Sequence, residues 1–239
     1  LQHLVPLLQG GLPTRVRLAL VEVSEKLVQA GGPEDIDLFV NALHGLLRDP
    51  EPLVRRKASR TLAHLASSGH GTAAALLART VHDAAQGFDP AVTAGLAEYI
   101  VTAHLGAMGG ESQADGSSCR AELAPYESPI PLRARAAVEP SDVETRQLAA
   151  GALSVFARCQ YVARVAPEVP RLAEALSRER DESVQISLVF LLGLAGKGQG
   201  PAGQALRRLL QHPNVQLRAL AAAALYRVAG DAQAALPVL

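Results

Sequence analysis

The stretch Asp49-Pro50-Glu51-Pro52-Leu53-Val54-Arg55-Arg56-Lys57-Ala58-Ser59-Arg60-Thr61-Leu62-Ala63-His64-Leu65-Ala66 decides the fold. Asp49-Pro50 opens a turn. Pro52 suits the first helical position, where its missing N–H leaves no bond unmade. Val54, Ala58, Leu62 and Leu65 then fall on one helical stripe, and Ser67-Ser68-Gly69 stops the run.

Variants of this phrase recur. The second helices of successive pairs align on Val16, Val54, Val92, Thr145, Ile186 and Leu217. Each follows a shorter apolar helix, such as 33–48, 72–85, 168–179 and 202–211. A period near 40 residues with two helices per period predicts an α-solenoid. The expected class is all-α, an α-α superhelix of about six helix pairs.

The pattern fails between 111 and 140. That span carries Ser, Gly and the prolines Pro125, Pro129, Pro131 and Pro140, with little periodicity. It reads as one irregular insertion. Ser141-Asp142-Val143-Glu144 then has the form of a capping box and restarts a helix to about Cys159. The expected organisation is repeats over 1–110, the insertion over 111–140, and further repeats over 141–239 in one continuous solenoid.

Composition agrees with packed helices. Of 239 residues 49% are hydrophobic, 19% charged and 3% aromatic, with no Trp. Disorder is excluded by that balance, and an Ala- and Leu-rich interior favours helices over sheets. The 23 basic and 23 acidic residues cancel, so nothing global points to nucleic acid or an anionic membrane. No apolar run approaches the roughly 18 residues of a membrane span. Cys119 and Cys159 show no metal or redox spacing and are expected as free thiols, which suggests a reducing cytoplasm. Both ends look cut mid-array, because neither carries a polar capping repeat; a larger parent chain or contacts through the ends are expected.

The phrases at 49–65, 181–196 and 212–230 resemble HEAT repeats, especially the short bacterial form called lyase-type HEAT-like. The shared features are an Asp-Pro type of turn, then Val-Arg, then Ala and Leu at helical spacing. The resemblance implies an armadillo-type fold that presents a concave face to a protein or peptide. Thr93 and Ser187 depart from it, standing where that family prefers Arg. Relatives by fold include phycobilin lyases and HEAT-like DNA glycosylases. The alternative reading is therefore an enzyme or enzyme subunit acting on a small anionic ligand or on nucleic acid. A glycosylase of that sort wants a basic face with Trp or Tyr around the damaged base, and zero net charge without Trp counts against it.

Position one after the anchor holds Arg17, Arg55, Arg146 and Arg218. Acidic residues in the preceding turns make pairing between repeats the expectation, over a ladder for phosphates. Positions two, six and ten form the outward row of each second helix. Arg56, Arg60 and His64 make its most cationic segment, with Glu22 and Glu98 in the flanking repeats. That group is either an intramolecular Glu–Arg–Glu cluster or a patch for a phosphate, carboxylate or acidic peptide. His64 is a candidate general base, although no recognisable nucleophile stands with it. Leu188 and Leu192 give the same row an apolar character further on, in a helix that is apolar nearly all round. The insertion folding back through Tyr126, Ile130, Leu132 and Val138 is the expected cover; a partner or apolar ligand is the other candidate.

Gly196-Lys197-Gly198-Gln199-Gly200 follows no strand and reads as an inter-helix turn. The remaining histidines have no metal-ligand spacing, so neither metal nor cofactor is expected. The leading functional expectation is a protein- or peptide-binding scaffold.

Overall fold

The computed structural model describes residues 3, 5–9, 11–29, 36–86, 89–109, 123–124, 130–139 and 142–238. Every regular element among them is helical. In order they are α1 (Val5–Gln9), α2 (Thr14–Gln29), α3 (Ile36–Leu46), α4 (Pro52–Ser67), α5 (Gly71–Gln86), α6 (Pro90–Gly109) and α7 (Ile130–Val138). After them come α8 (Val143–Phe156), the short α9 (Val162–Val165), α10 (Val169–Arg178), α11 (Glu182–Ala195), α12 (Gly200–Leu209), α13 (Val215–Ala229) and α14 (Ala232–Ala235). No helix among the described residues is long and apolar enough to cross a membrane.

The chain divides into two compact units, Leu1–Tyr99 and Ile100–Leu239. In the first, α4 packs against α2, α3 and α5, while α3 also meets α1 and α5. Second helices thus lie beside second helices and first beside first. In the second unit α11 lies between α8 and α13, and α10 lies between α7 and α12. These two layers enclose a core of small and branched side chains. Leu153, Leu172, Leu188, Leu192, Leu206 and Leu225 are all fully buried. Each buried leucine contributes about 2 kcal/mol of apolar transfer.

Local chemistry sets where each second helix begins. Asp181 caps α11 by accepting from the backbone N–H groups of Ser183 and Val184. Asn214 caps α13 through Leu217 N–H, and Asp142 caps α8 through Thr145 N–H. Asp89 does the same for Ala91 and Val92 at the start of α6. In α4 the cap residue Glu51 makes no side-chain bond; Pro52 fills the first turn instead, and Asp49 Oδ1 accepts from Glu51 N–H. Gly230 closes α13 with φ 64°, the left-handed conformation that glycine adopts without Cβ strain, and its N–H bonds Tyr226 O.

Several sequence expectations change here. Residues 130–138 form a helix, α7, which pairs with α8; the irregular span does not run unbroken from 111 to 140. Of its proposed anchors, Ile130 is buried and Val138 half-buried, whereas Tyr126 lies outside the described residues and only the backbone of Leu132 is described. The cap of α8 is Asp142, and Ser141 lies outside the described residues. After Phe156 the helix kinks: Cys159 has φ −82° and ψ 33°, and Gln160 has φ 67° and ψ 18°. Cys159 is buried and disulfide-bonded, not a free thiol. The cytoplasmic expectation rested partly on free thiols and loses that support. Cys119 lies outside the described residues.

Candidate functional site

The outward row of α4 meets α6 through a close helix crossing. A Cβ built on Gly95 falls 2.1 Å from Arg56 O and 2.1 Å from Ser59 Oγ, so only glycine fits at this distance. Ser59 Oγ donates across the same crossing to Val92 O at 3.1 Å. One turn beyond Gly95, Glu98 reaches both cations of the row. Its Oε2 accepts from Arg56 Nε and Nη2, each at 2.9 Å, and its Oε1 accepts from Arg60 Nη1 at 2.8 Å. The Arg56 and Glu98 side chains are 15% and 21% exposed, so water screens the contact only partly. His64 completes the row, its ring 6.4 Å from that of Tyr99 and tilted by 60°.

The structure therefore joins Arg56, Arg60, His64 and Glu98. Glu22 does not join them. It is exposed and faces Lys26 at 3.8 Å on its own helix. The carboxylate that α2 supplies to α4 is Glu25, 3.2 Å from Lys57 Nζ and 3.3 Å from Thr61 Oγ1. Three residues turn a side chain back by about 60° around a helix axis, which separates the α4-facing Glu25 from the solvent-facing Glu22. Sequence reading missed Glu25 and Tyr99. Their spacing from the α2 and α6 anchors carried no chemical pattern that would have marked them.

The arginines at position one all have intramolecular partners. Arg17 pairs with Asp49 at 2.9 Å, Arg55 with Asp89 at 2.8 Å, and Arg146 with Glu179 at 2.8 Å. Each acid lies 32 to 34 residues ahead, in the turn that opens the next second helix. Arg55 Nη1 also donates to Asp49 O, six residues back, and Arg218 Nη1 donates likewise to His212 O. Gln185 repeats the move through Nε2 to Glu179 O, again six residues back.

That last bond exposes a register error. By the capping residues, the counterpart of Val54 and Leu217 is the third residue after Asp181. This is Val184, not Ile186. Position one of this repeat is then Gln185, not Ser187. Leu188 and Leu192 move to positions four and eight, the buried stripe shared with Ala58, Leu62, Leu96 and Leu225. Both are 0% exposed, with α8 and α13 on either side, so they are core residues and offer no surface to a partner. Their cover comes from the packed neighbours α8 and α13; most of the insertion expected to cover this helix lies outside the described residues. The outward row of α11 becomes Ile186, Phe190 and Leu194, all half-buried. Counting from the cap Asp181 was the available cue.

An open groove of about 370 Å³ lies beside the Arg146–Glu179 pair, between α7 and α10. Its arginines are matched by acids: Arg171 with Glu168 and Arg178 with Glu174. Burial pushes the Glu179 carboxyl up. The hydrogen bond from Arg146, the backbone N–H groups of Asp181 and Arg180, and the Arg146 charge together outweigh that and hold it below the ordinary glutamate value. Among the described residues no group of three His, Cys, Asp or Glu side chains could hold a metal ion.

No family model and no curated protein matches this chain. Among solved structures it is similar to an engineered protein whose crystal structure came from the Northeast Structural Genomics Consortium. The TM-score is 0.55 at 18% identity, over 95% of this chain and 96% of that one. At that identity the likeness concerns the fold alone, and the fold that the two chains share is all-helical.

Proposed function

We propose that this chain is a HEAT-like repeat protein that binds a protein or peptide across the outward faces of its second helices. The observation that carries the reading is the repeated staple from position one of a second helix to the acid of the next turn. It sets Arg17, Arg55 and Arg146 to holding neighbours in line and leaves positions two, six and ten for other work. In the first unit that row carries the Arg56–Glu98–Arg60 group and His64, with Tyr99 beside it. A half-buried, pre-paired cluster of this kind can exchange an internal carboxylate for a carboxylate or phosphate on a partner with little reorganisation.

The experiment is selection of 16-residue peptides from a display library on the full chain, followed by fluorescence anisotropy with the enriched sequences. Saturable binding supports the reading. A library that yields no binder, with salt-sensitive capture of a labelled DNA duplex instead, overturns it in favour of nucleic acid. Binding that survives Arg56→Glu with Arg60→Glu removes this cluster from the contact.

A further inference from the structure

Position one is not alone in meeting the next repeat. Position five does so in α4, where Ser59 Oγ donates to Val92 O at 3.1 Å. Position nine does so in α6 and α11. A Cβ built on Gly151 of α8 meets Val101 Cγ2 at 3.2 Å, and a Cβ built on Gly193 meets Ala224 Cβ of α13 at 3.1 Å. Steps of four residues keep a side chain on one side of a helix, so positions one, five and nine form a junction stripe. Position nine is buried in α4, α8 and α11, as Ala63, Ser154 and Gly193.

On α13 the stripe is Arg218, Ala222 and Tyr226, and Val215 falls on the same side eleven residues before Tyr226. Here position nine is open: Tyr226 is 57% exposed and Val215 67%. Arg218 is set as Arg55 is. Arg55 Nη1 donates to Asp49 O at 2.8 Å and Pro50 O at 3.1 Å, and its Nε donates to Asp89 Oδ2 at 2.8 Å. Arg218 Nη1 donates to His212 O at 2.8 Å and Pro213 O at 3.0 Å. Among the described residues no carboxylate meets its Nε. Asp231, the acid that follows α13, is already held by Arg207 and by Ala234 N–H. Two carbonyls thus fix the Arg218 fork in place before any carboxylate arrives.

We propose that the junction stripe of α13 docks a helix of a partner protein whose preceding turn carries an aspartate or glutamate. Its carboxylate meets Arg218 as Asp89 meets Arg55, and its apolar side packs along Val215 and Tyr226. The junctions inside this chain and the charge of Arg218 together specify that occupant. A second copy stacked through α2 does not supply it, because Gly10-Gly11-Leu12-Pro13 ahead of that helix contains no acid. The contact uses a stripe other than positions two, six and ten, and adds a docking surface to the one proposed above.

The test is display selection on the full chain, with peptides of about 24 residues so that a turn and a helix both fit. One enriched class is expected to carry Asp or Glu three to five residues ahead of an apolar helical stripe, the spacing of Asp49, Asp89 and Glu179 from Val54, Val92 and Val184. Arg218→Gln is expected to weaken a labelled member at least about tenfold, and Tyr226→Ser by a similar factor. The glutamine is compatible with the fold, since Gln185 makes the same bond to a carbonyl six residues back in α11. Thermal melts check both variants. Changing the peptide's acid to its amide should weaken binding to wild type and add little on Arg218→Gln. Binders sensitive to Arg56→Glu with Arg60→Glu, yet indifferent to Arg218→Gln and Tyr226→Ser, overturn this inference and leave the outward-row reading intact. Binders that need Tyr226 but no acid also overturn it. A library with no binder overturns both. A wild-type dimer in sedimentation that Tyr226→Ser converts to monomer assigns the stripe to a second copy and overturns the proposal.

Discussion

Replacing Gly95 by alanine tests the close approach of α4 and α6. The added Cβ lands 2.1 Å from a backbone oxygen, Arg56 O, and 2.1 Å from Ser59 Oγ. The hydroxyl can rotate away, but only by giving up its bond to Val92 O. The carbonyl cannot move without shifting α4. Overpacking of this kind costs about 3 kcal/mol when backbone is the obstacle. Alanine returns about 1 kcal/mol over glycine inside a helix. The expected net loss is about 2 kcal/mol, or roughly 4–8 °C in melting temperature for a chain of this size. Circular dichroism melts and urea titration measure it. Gly45→Ala is the matched control, since a Cβ there meets nothing within 4 Å. It should stabilise by about 0.5–1 kcal/mol. Equal stabilisation by both substitutions would show that α4 and α6 do not approach as described, and the Glu98 geometry would fall with that result.

Four further outcomes are expected. Leu188→Ala should cost about 3 kcal/mol, whereas Phe190→Ala should cost about 1 kcal/mol; the reverse order in urea titration would restore the original register of α11. Asp49→Ala leaves the Arg17 guanidinium without its carboxylate in a pair whose side chains are 12% and 4% exposed, and should cost about 3 kcal/mol by the same measurement. The Glu179 carboxyl is held low in the folded state, so its contribution is present above the ordinary glutamate value and is lost as pH falls through the lowered folded value. Wild type should therefore lose stability in that acid window, and Glu179→Gln should flatten the loss in melts taken across it. Cys159 should resist iodoacetamide in denaturant until a reductant is added, as read by peptide mass; labelling without reductant would contradict the disulfide.

Helix positions were legible because caps and stops are local. The range Glu182–Ala195 follows from Asp181 in front and glycine behind. The register inside that helix was not legible. Val184, Ile186, Leu188, Val189, Leu191 and Leu192 surround the axis, so apolar periodicity cannot choose between Val184 and Ile186. Helix α7 stayed hidden for another reason. Pro131 made its surroundings look irregular, yet a proline in the first turn of a helix breaks no hydrogen bond. The Arg56–Glu98–Arg60 group was visible as matching positions on adjacent repeats, because both partners lie on the outward row. Glu25 was not, because its role depends on how far α2 is rotated against α4, which no single-helix pattern encodes.

The staples of 32 to 34 residues also bear on how the protein folds. Each can close as soon as one repeat and the turn of the next have been synthesised. Loop-closure entropy is therefore nearly equal for these three staples, and none of them waits for distant parts of the chain to meet. Low contact order of this sort favours rapid folding that nucleates at any well-formed repeat and spreads to its neighbours. It also confines damage. A lost staple weakens one junction between nearest neighbours, so hydrogen exchange in Asp49→Ala should quicken around α2 and α4 and leave α11 to α13 at wild-type protection.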